Sequence, residues 1–240
     1  MSERVVIVGG TSGIGLAAAV RLAASGREVV VTGRTPERLE RAVKEIGERG
    51  SGVVADARDP EAMRTLFAEA GPVDHVVISV SGRKGAGPFL SLSPDDLRRA
   101  LDDKLIAQVV AAQAALPALR RDGSLTFVSA ASANNALAGV AGLAAVNGAI
   151  ESMVPGLAVE LAPVRVNAVS PGVIDTEWWD ELGDGRQGAL DAFAAATTVG
   201  RIGTPGEVAN AIAYLIETGY ATGTVLTVDG GVRLKPSVQS

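Results

Sequence analysis

The chain has 240 residues, 47% of them hydrophobic and 3% aromatic, with no cysteine and a formal net charge of -5. That length supports one substantial core without disulfide or metal staples; the lack of cysteine excludes disulfides and thiolate metal sites, and interspersed charges with few rings leave neither a basic field nor stacking platforms for nucleic acid. The opening "MSERVVIVGG" has no basic n-region, long apolar stretch or cleavage site, and no later apolar run approaches the roughly 20 residues of a membrane span, so the sequence predicts a soluble, cytoplasmic protein with a small-molecule partner, no nucleic acid and no membrane.

Short β-branched runs alternate along the chain with helical patterns. The first strand is predicted at 4–8, "RVVIV", followed by the glycine-rich turn "GGTSGIG" and a helix over about 14–25. Gly9, Gly13 and Gly15 there permit a tight turn and let a pyrophosphate approach backbone N–H groups at a helix N-terminus, whose dipole favours an anion. Thr11, Ser12 and Ile14 complete the candidate cradle. Such a turn is informative only between a strand and a helix, and both are predicted here.

The second strand, 28–32, runs into "TGRTPER". A site for an unphosphorylated adenosine ribose would place an acid there; this chain has Gly33 and Arg34, and no acid before Glu37. Arg34 suits a 2′-phosphate, which favours NADP(H), and its other reading is a solvated loop arginine. A helix over 36–49, a strand at 52–56, a helix over 60–70 and a strand at 74–79 follow. Next come a long helix over 94–121, a strand at 124–129, a helix over 140–162, a strand at 164–170, a helix over 205–217 and a last strand at 224–231. The strands read as near-continuously apolar, as strands covered on both faces do. Strand and helix alternation implies a parallel sheet with right-handed crossovers, a doubly wound α/β fold. Residues 1–240 are thus read as a single domain, with the Gly-rich, acidic stretch 175–200 as an insertion or lid over one edge. His75, the lone histidine, opens a strand far from the C-terminal ends where ligands bind, and no metal site is expected around it.

These motifs together resemble the classical short-chain dehydrogenase/reductases over essentially the whole length. "GGTSGIG" is similar to their Gly-x-x-x-Gly-x-Gly turn, although Val8 stands where they usually have Thr; "ADARD" is similar to their adenine-side segment at Asp56 and Ala57. "ELAPVRVNAVSPGVIDTEW" resembles the strand and Pro-Gly loop that hold the nicotinamide, which implies roles for Pro171, Gly172, Val173 and Thr176. "RIGTPGEVANAIAYL" and "ATGTVLTVDGG" resemble their C-terminal helix and final strand. The resemblance implies a seven-stranded Rossmann sheet with helices on both faces and a homodimer or homotetramer.

The departures concern chemistry. The family's Asn-Asn-Ala-Gly segment corresponds to "SVSG", Ser79, Ser81 and Gly82 included, with loss of the amides that brace the central strand. Its serine falls at or beside Ala130, its Tyr-x-x-x-Lys pair on Leu143 and Asn147, and its helical Asn on Lys104. Leucine cannot transfer a proton, and Asn147 can bond a ribose hydroxyl but carries no charge to tune a neighbour. Lys104 is the candidate replacement acid, its alternative being a surface lysine with its charge in water; Ser129 and Ser132 are candidate hydrogen-bonding partners. Trp178 and Trp179 form either an apolar lid or a subunit contact. Two functions follow: an NADP(H)-dependent oxidoreductase acting on a small carbonyl or alcohol with a non-standard proton donor, or a cofactor-binding protein without redox activity, either regulatory or an isomerase or lyase.

Overall fold

The computed structural model describes residues 2–234, so residues 1 and 235–240 of the predicted span lie outside the described residues. Seven parallel strands form one sheet: β1 (Arg4–Val8), β2 (Glu28–Gly33), β3 (Gly50–Val54), β4 (Val73–Ile78), β5 (Leu119–Val128), β6 (Arg165–Pro171) and β7 (Val225–Val228), in the order β3-β2-β1-β4-β5-β6-β7. This is the doubly wound Rossmann sheet that the alternating pattern predicts, with the reversal of strand order between β1 and β4. Alternate residues of β1 face opposite sides, and both sides are dry. Val6 and Val8 join the cluster containing Phe67 and Phe127, Val5 and Ile7 the cluster containing Leu22 and Ile212. That is why the run has no polar position.

Helices α1 (Gly13–Ala24), α2 (Pro36–Ile46) and α8 (Pro205–Glu217) cover one face. Helices α3 (Pro60–Ala70), α5 (Ala107–Ala115) and α6 (Ala141–Glu160) cover the other. α6 corrects the statement that no apolar run approaches a membrane span: at 20 residues it is long and apolar enough by composition. It packs on the sheet as a core helix, burying Val146, Ile150 and Val154.

The structure differs from the sequence expectation in several places, beginning with α2, whose predicted span reaches 49 and which stops at Ile46 before Gly47 at φ 86°. β3 begins at Gly50 rather than 52 because Gly50 and Ser51 already pair with Val29 and Val30, and it is an edge strand, with Val54 exposed. A side chain at Gly52 would meet Leu39 of α2 at 2.8 Å, so the helix fills the space that strand side chains would take. The long helix predicted over 94–121 is α4 (Pro94–Ala100), a π-helical turn (Leu101–Ile106) and α5, which stops at Ala115. Pro117 has no N–H to continue a helix, so α5 ends with Leu116, still in helical geometry, as its cap. β5 therefore starts at Leu119, with a register shift opposite Val73 and His75. β7 ends at Val228, since Gly230 and Gly231 turn the chain through left-handed backbone at φ 60° and 76°. The stretch 175–200 is also more regular than its composition suggests, holding a 3-10 segment (Glu177–Gly185) and α7 (Arg186–Ala196).

At the opposite end of the sheet from the strand C-termini, His75 is buried with Nδ1 2.9 Å from Ser124 Oγ. Burial holds its imidazole below the usual histidine range, against the opposing pull of Glu3. Nearby, the buried Arg165 guanidinium closes the C-terminal end of α8. Its Nη1 donates to Leu215 O at 2.7 Å and Thr218 O at 3.1 Å, and its Nη2 to Ile216 O at 2.8 Å. Arg165→Met leaves these carbonyls without that donor, and is expected to lower unfolding free energy by about 2 kcal/mol, read as a shifted urea midpoint at unchanged slope.

Candidate active site

The C-terminal strand ends open on one cleft of about 1120 Å³ that runs from the glycine-rich turn to the 177–185 segment. Gly9, Thr11, Ser12, Gly13 and Ile14 line it. Gly9 and Gly13 have φ of 83° and 52°, the left-handed region that glycine enters freely. Ser12 caps α1 without a side-chain bond, and the first turn of the helix has no acid, so its backbone N–H groups remain available to an anion. Gly15 lies outside the lining of the cleft; an added Cβ there would stand 2.1 Å from Gly9 O, so it lets α1 pack against the turn.

The end of the cleft beyond β2 and β3 is rich in guanidinium groups. Arg34, Arg38, Asp56, Ala57 and Arg58 line it, and Arg34 is exposed. The Asp56 carboxylate is engaged by Arg58, at 2.8 Å from Oδ2 to Nη2 and 3.2 Å from Oδ1 to Nε, and Arg58 also donates to Asp103 at 3.0 Å. The Arg58 hydrogen bonds hold the Asp56 carboxyl below its ordinary value. Arg58 was not among the sequence candidates; its signal was its place two residues after Asp56 in "ADARD".

Ser79, Ser81 and Gly82 line the middle of the cleft where the chain leaves β4. The bracing that "SVSG" lacks is supplied from α5. The buried Gln108 amide donates to Val80 O at 3.2 Å and Val128 O at 3.0 Å, tying the ends of β4 and β5 together. In the sequence Gln108 is one of two glutamines in the otherwise apolar run "AQVVAAQAA", with nothing to single it out.

The four candidate catalytic residues, Lys104, Ser129, Ser132 and Asn147, all line the same cleft. The π-helical turn carries Lys104 inward; π-bulges inside helices are frequent at functional sites. Lys104 is 8% exposed, which decides against a solvated lysine. Its Nζ donates to Ser129 O at 3.0 Å, and among the described residues no carboxylate reaches ion-pair distance of it. Burial pushes the ammonium down to about 8, opposed by the charge of Glu151. Asn147 Nδ2 donates to Ser132 Oγ at 3.1 Å and to Leu143 O at 2.9 Å, whereas the buried Asn147 Oδ1 has no hydrogen-bond partner among the described residues. A buried acceptor of this kind awaits a donor from whatever fills the cleft.

Pro171, Gly172, Val173 and Thr176 line the far wall. A Cβ on Gly172 would meet Asp229 Cα at 2.7 Å, so the loop needs a glycine there. Thr176 Oγ1 caps the following 3-10 segment, which is fixed across the cleft by Trp178 Nε1 donating to Gly82 O at 3.2 Å and by Arg38 pairing with Glu177 at 3.3 Å. Trp179 stacks edge-on with Trp178 at 4.6 Å and tilted on Phe193 at 5.3 Å. With Leu137, Val140 and Leu143 these rings make one end of the cleft apolar. Tyr214 and Tyr220 are exposed and lie outside it.

Comparison with known proteins agrees with this geometry. Residues 8–233 match the family model described as enoyl-(acyl carrier protein) reductase. The chain is 32% identical to the short-chain dehydrogenase/reductase ATR9 of Stachybotrys chlorohalonatus, covering 97% of this chain and 98% of that protein. It is also 32% identical to the 3-oxoacyl-[acyl-carrier-protein] reductase MabA of Mycobacterium tuberculosis, over 97% and 93% of the two chains. Among solved structures it superposes on a small-chain dehydrogenase in complex with NADPH with a TM-score of 0.84, at 30% identity and covering 98% of this chain and 100% of that one. The MalC reductase/Diels-Alderase of Malbranchea aurantiaca superposes at 0.89 with 28% identity, over 98% and 97%.

Proposed function

The chain belongs to the short-chain dehydrogenase/reductase family, and from that premise we propose an NADP(H)-dependent oxidoreductase that interconverts a small apolar carbonyl compound and its alcohol with Lys104 as the proton donor. The observation that carries this reading is the single cleft in which an open helix N-terminus, an arginine-rich end and a buried ammonium face one another.

The cleft fits the cofactor in two respects. The turn at Gly9 and Gly13 and the open N-terminus of α1 suit a pyrophosphate. The orphaned Asn147 Oδ1 suits a ribose hydroxyl, which donates where a carbonyl could not. Arg34 and Arg38, which both line the cleft, would hold the 2′-phosphate of NADP(H). A relative solved with NADPH supports that choice. Bound nicotinamide supplies the hydride. The chain's own part is to hold the carbonyl oxygen against Lys104, to give it a proton as negative charge develops there, and to keep water away with Leu143, Trp179 and Phe193. An acid near 8 is well placed for transfer around neutral pH. In this reading Leu143 and Asn147 occupy the positions of the family's tyrosine and lysine, and Ala130 lies at or beside that of its serine. The chain thus departs from the usual proton-transfer group while keeping its cofactor surface.

The proposal places the enzyme in the cytoplasm as a homodimer or homotetramer. For the oligomer, α6 offers an apolar helix with only 33% of its 18-residue apolar window buried.

Titration with NADPH and then NADH, following the fluorescence of Trp178 and Trp179, tests the cofactor assignment. NADPH is expected to bind at least about tenfold more tightly, and Arg34→Ala to bring the two within about threefold. Failure of both to bind, checked by calorimetry, overturns the oxidoreductase reading in favour of a non-redox protein.

A further inference from the structure

Glu151 stands one turn beyond Asn147 on α6, half-buried and behind the cleft wall rather than in it. Three neutral donors from three places converge on its carboxylate. Ser129 Oγ at the end of β5 donates to Oε1 at 2.8 Å, and Ser170 Oγ on β6 donates to the same oxygen at 2.6 Å. Asn134 Nδ2, from the turn after β5, donates to Oε2 at 2.8 Å. All three partners are neutral, and among the described residues no cation lies at ion-pair distance from this carboxylate. Ser129 links it to the cleft, because the residue whose hydroxyl is tied to Glu151 also offers its carbonyl to Lys104 Nζ.

The surroundings of Lys104 narrow the source of compensating charge. α5 and the turn Ala131–Asn134 contain no titratable side chain, and from Ala141 to Glu151 the helix α6 has Glu151 alone. On α4, Asp95 pairs with Arg98, Asp96 takes bonds from Ser93 and Lys84, and Arg99 is exposed. On the π-helical turn itself, Asp103 is turned to Arg58 and Asp102 is exposed. In the loop after β4, Arg83 pairs with Glu181. Among the described residues Glu151 is the acid whose charge acts on the buried amine.

We propose that Glu151 is a positioning residue that keeps Lys104 in its ammonium form and holds Ser129 so that its carbonyl orients the Nζ. The proposal rests on the reading of Lys104 as the proton donor. The electrostatics agree in direction, since burial lowers the Lys104 ammonium and Glu151 raises it. Removing the negative charge therefore makes the amine lose its proton at lower pH.

The test is a pH titration of the 15N-labelled lysine amines by NMR, practicable in a chain with four lysines, combined with the pH dependence of kcat/KM for carbonyl reduction. In Glu151→Gln the Lys104 resonance is expected to titrate about one pH unit lower, and the alkaline limb of activity to move with it. That is a loss of about fivefold at pH 8 that fades by pH 6. Ser170→Ala removes one hydrogen bond to the same carboxylate but keeps its charge, and should leave the Lys104 titration in place, separating charge from mere disruption. An unmoved Lys104 resonance in Glu151→Gln overturns the proposal. A resonance that moves while the activity limb stays fixed overturns the catalytic reading of Lys104 on which it rests.

Discussion

Replacing Lys104 by methionine is expected to lower kcat/KM for carbonyl reduction by about a thousandfold while NADPH affinity stays within about twofold. The magnitude is that of a positioned general acid, roughly 10²–10⁴ in rate. Methionine matches the length of the lysine stem and fills the buried space without a charge, so the loss reads on chemistry rather than on collapse of the wall. Stability provides a control with a definite sign. The folded amine titrates near 8, below its unfolded value, so the unfolded chain binds more protons between those two values. Burial of the ammonium therefore costs stability at neutral pH, and stability rises with pH from about 8 toward the unfolded value. Lys104→Met removes that rise, and at pH 7 should be no less stable than the parent. A variant that reduces the carbonyl at the parental rate removes Lys104 from the mechanism.

How far the site was legible depended on whether a residue's role was local. The turn at Gly9–Gly15, the strand β1 and the helix α8 follow from patterns within a dozen residues, and the structure has them at the positions read. Lys104 was ambiguous in sequence because "LDDK" looks like a solvated helix face. The π-helical turn rotates the lysine inward while Asp103 goes to Arg58, and no periodicity of 3.6 anticipates that rotation. Glu151 and Gln108 were illegible for another reason. Their partners lie 17 to 22 residues away for Glu151 and 20 to 28 for Gln108, at strand ends and in the turns just beyond them, whose spacing only the assembled sheet defines. β3 misled because its valines suggest burial, whereas its glycines and its edge position leave the packing to α2.

Gly15 is the other position where a small change should have a large consequence, although it touches no ligand space. A methyl group there would lie 2.1 Å from Gly9 O, 3.0 Å from Gly9 C and 3.1 Å from Gly10 Cα, all of them backbone atoms. The turn cannot retreat. Gly9 is held in left-handed geometry against Ser79, whose carbonyl oxygen a Cβ on Gly9 would already approach to 2.9 Å, and Gly10 N donates to Thr32 O at 3.1 Å. What gives must be α1, and with it the N–H groups that would meet the pyrophosphate. Gly15→Ala is therefore expected to destabilise the fold by about 3 kcal/mol and to weaken NADPH binding by about a hundredfold, since anion binding at a helix N-terminus depends on where those N–H groups point. Gly188→Ala on α7, where a Cβ has nothing within 4 Å, should instead stabilise by about 0.5–1 kcal/mol, the ordinary helix preference of alanine over glycine. Thermal melts and calorimetric titration of the two variants separate the effects. If Gly15→Ala melts and binds like the parent, the turn has freedom that its contacts deny, and α1 is not the rigid anion platform on which the cofactor assignment depends.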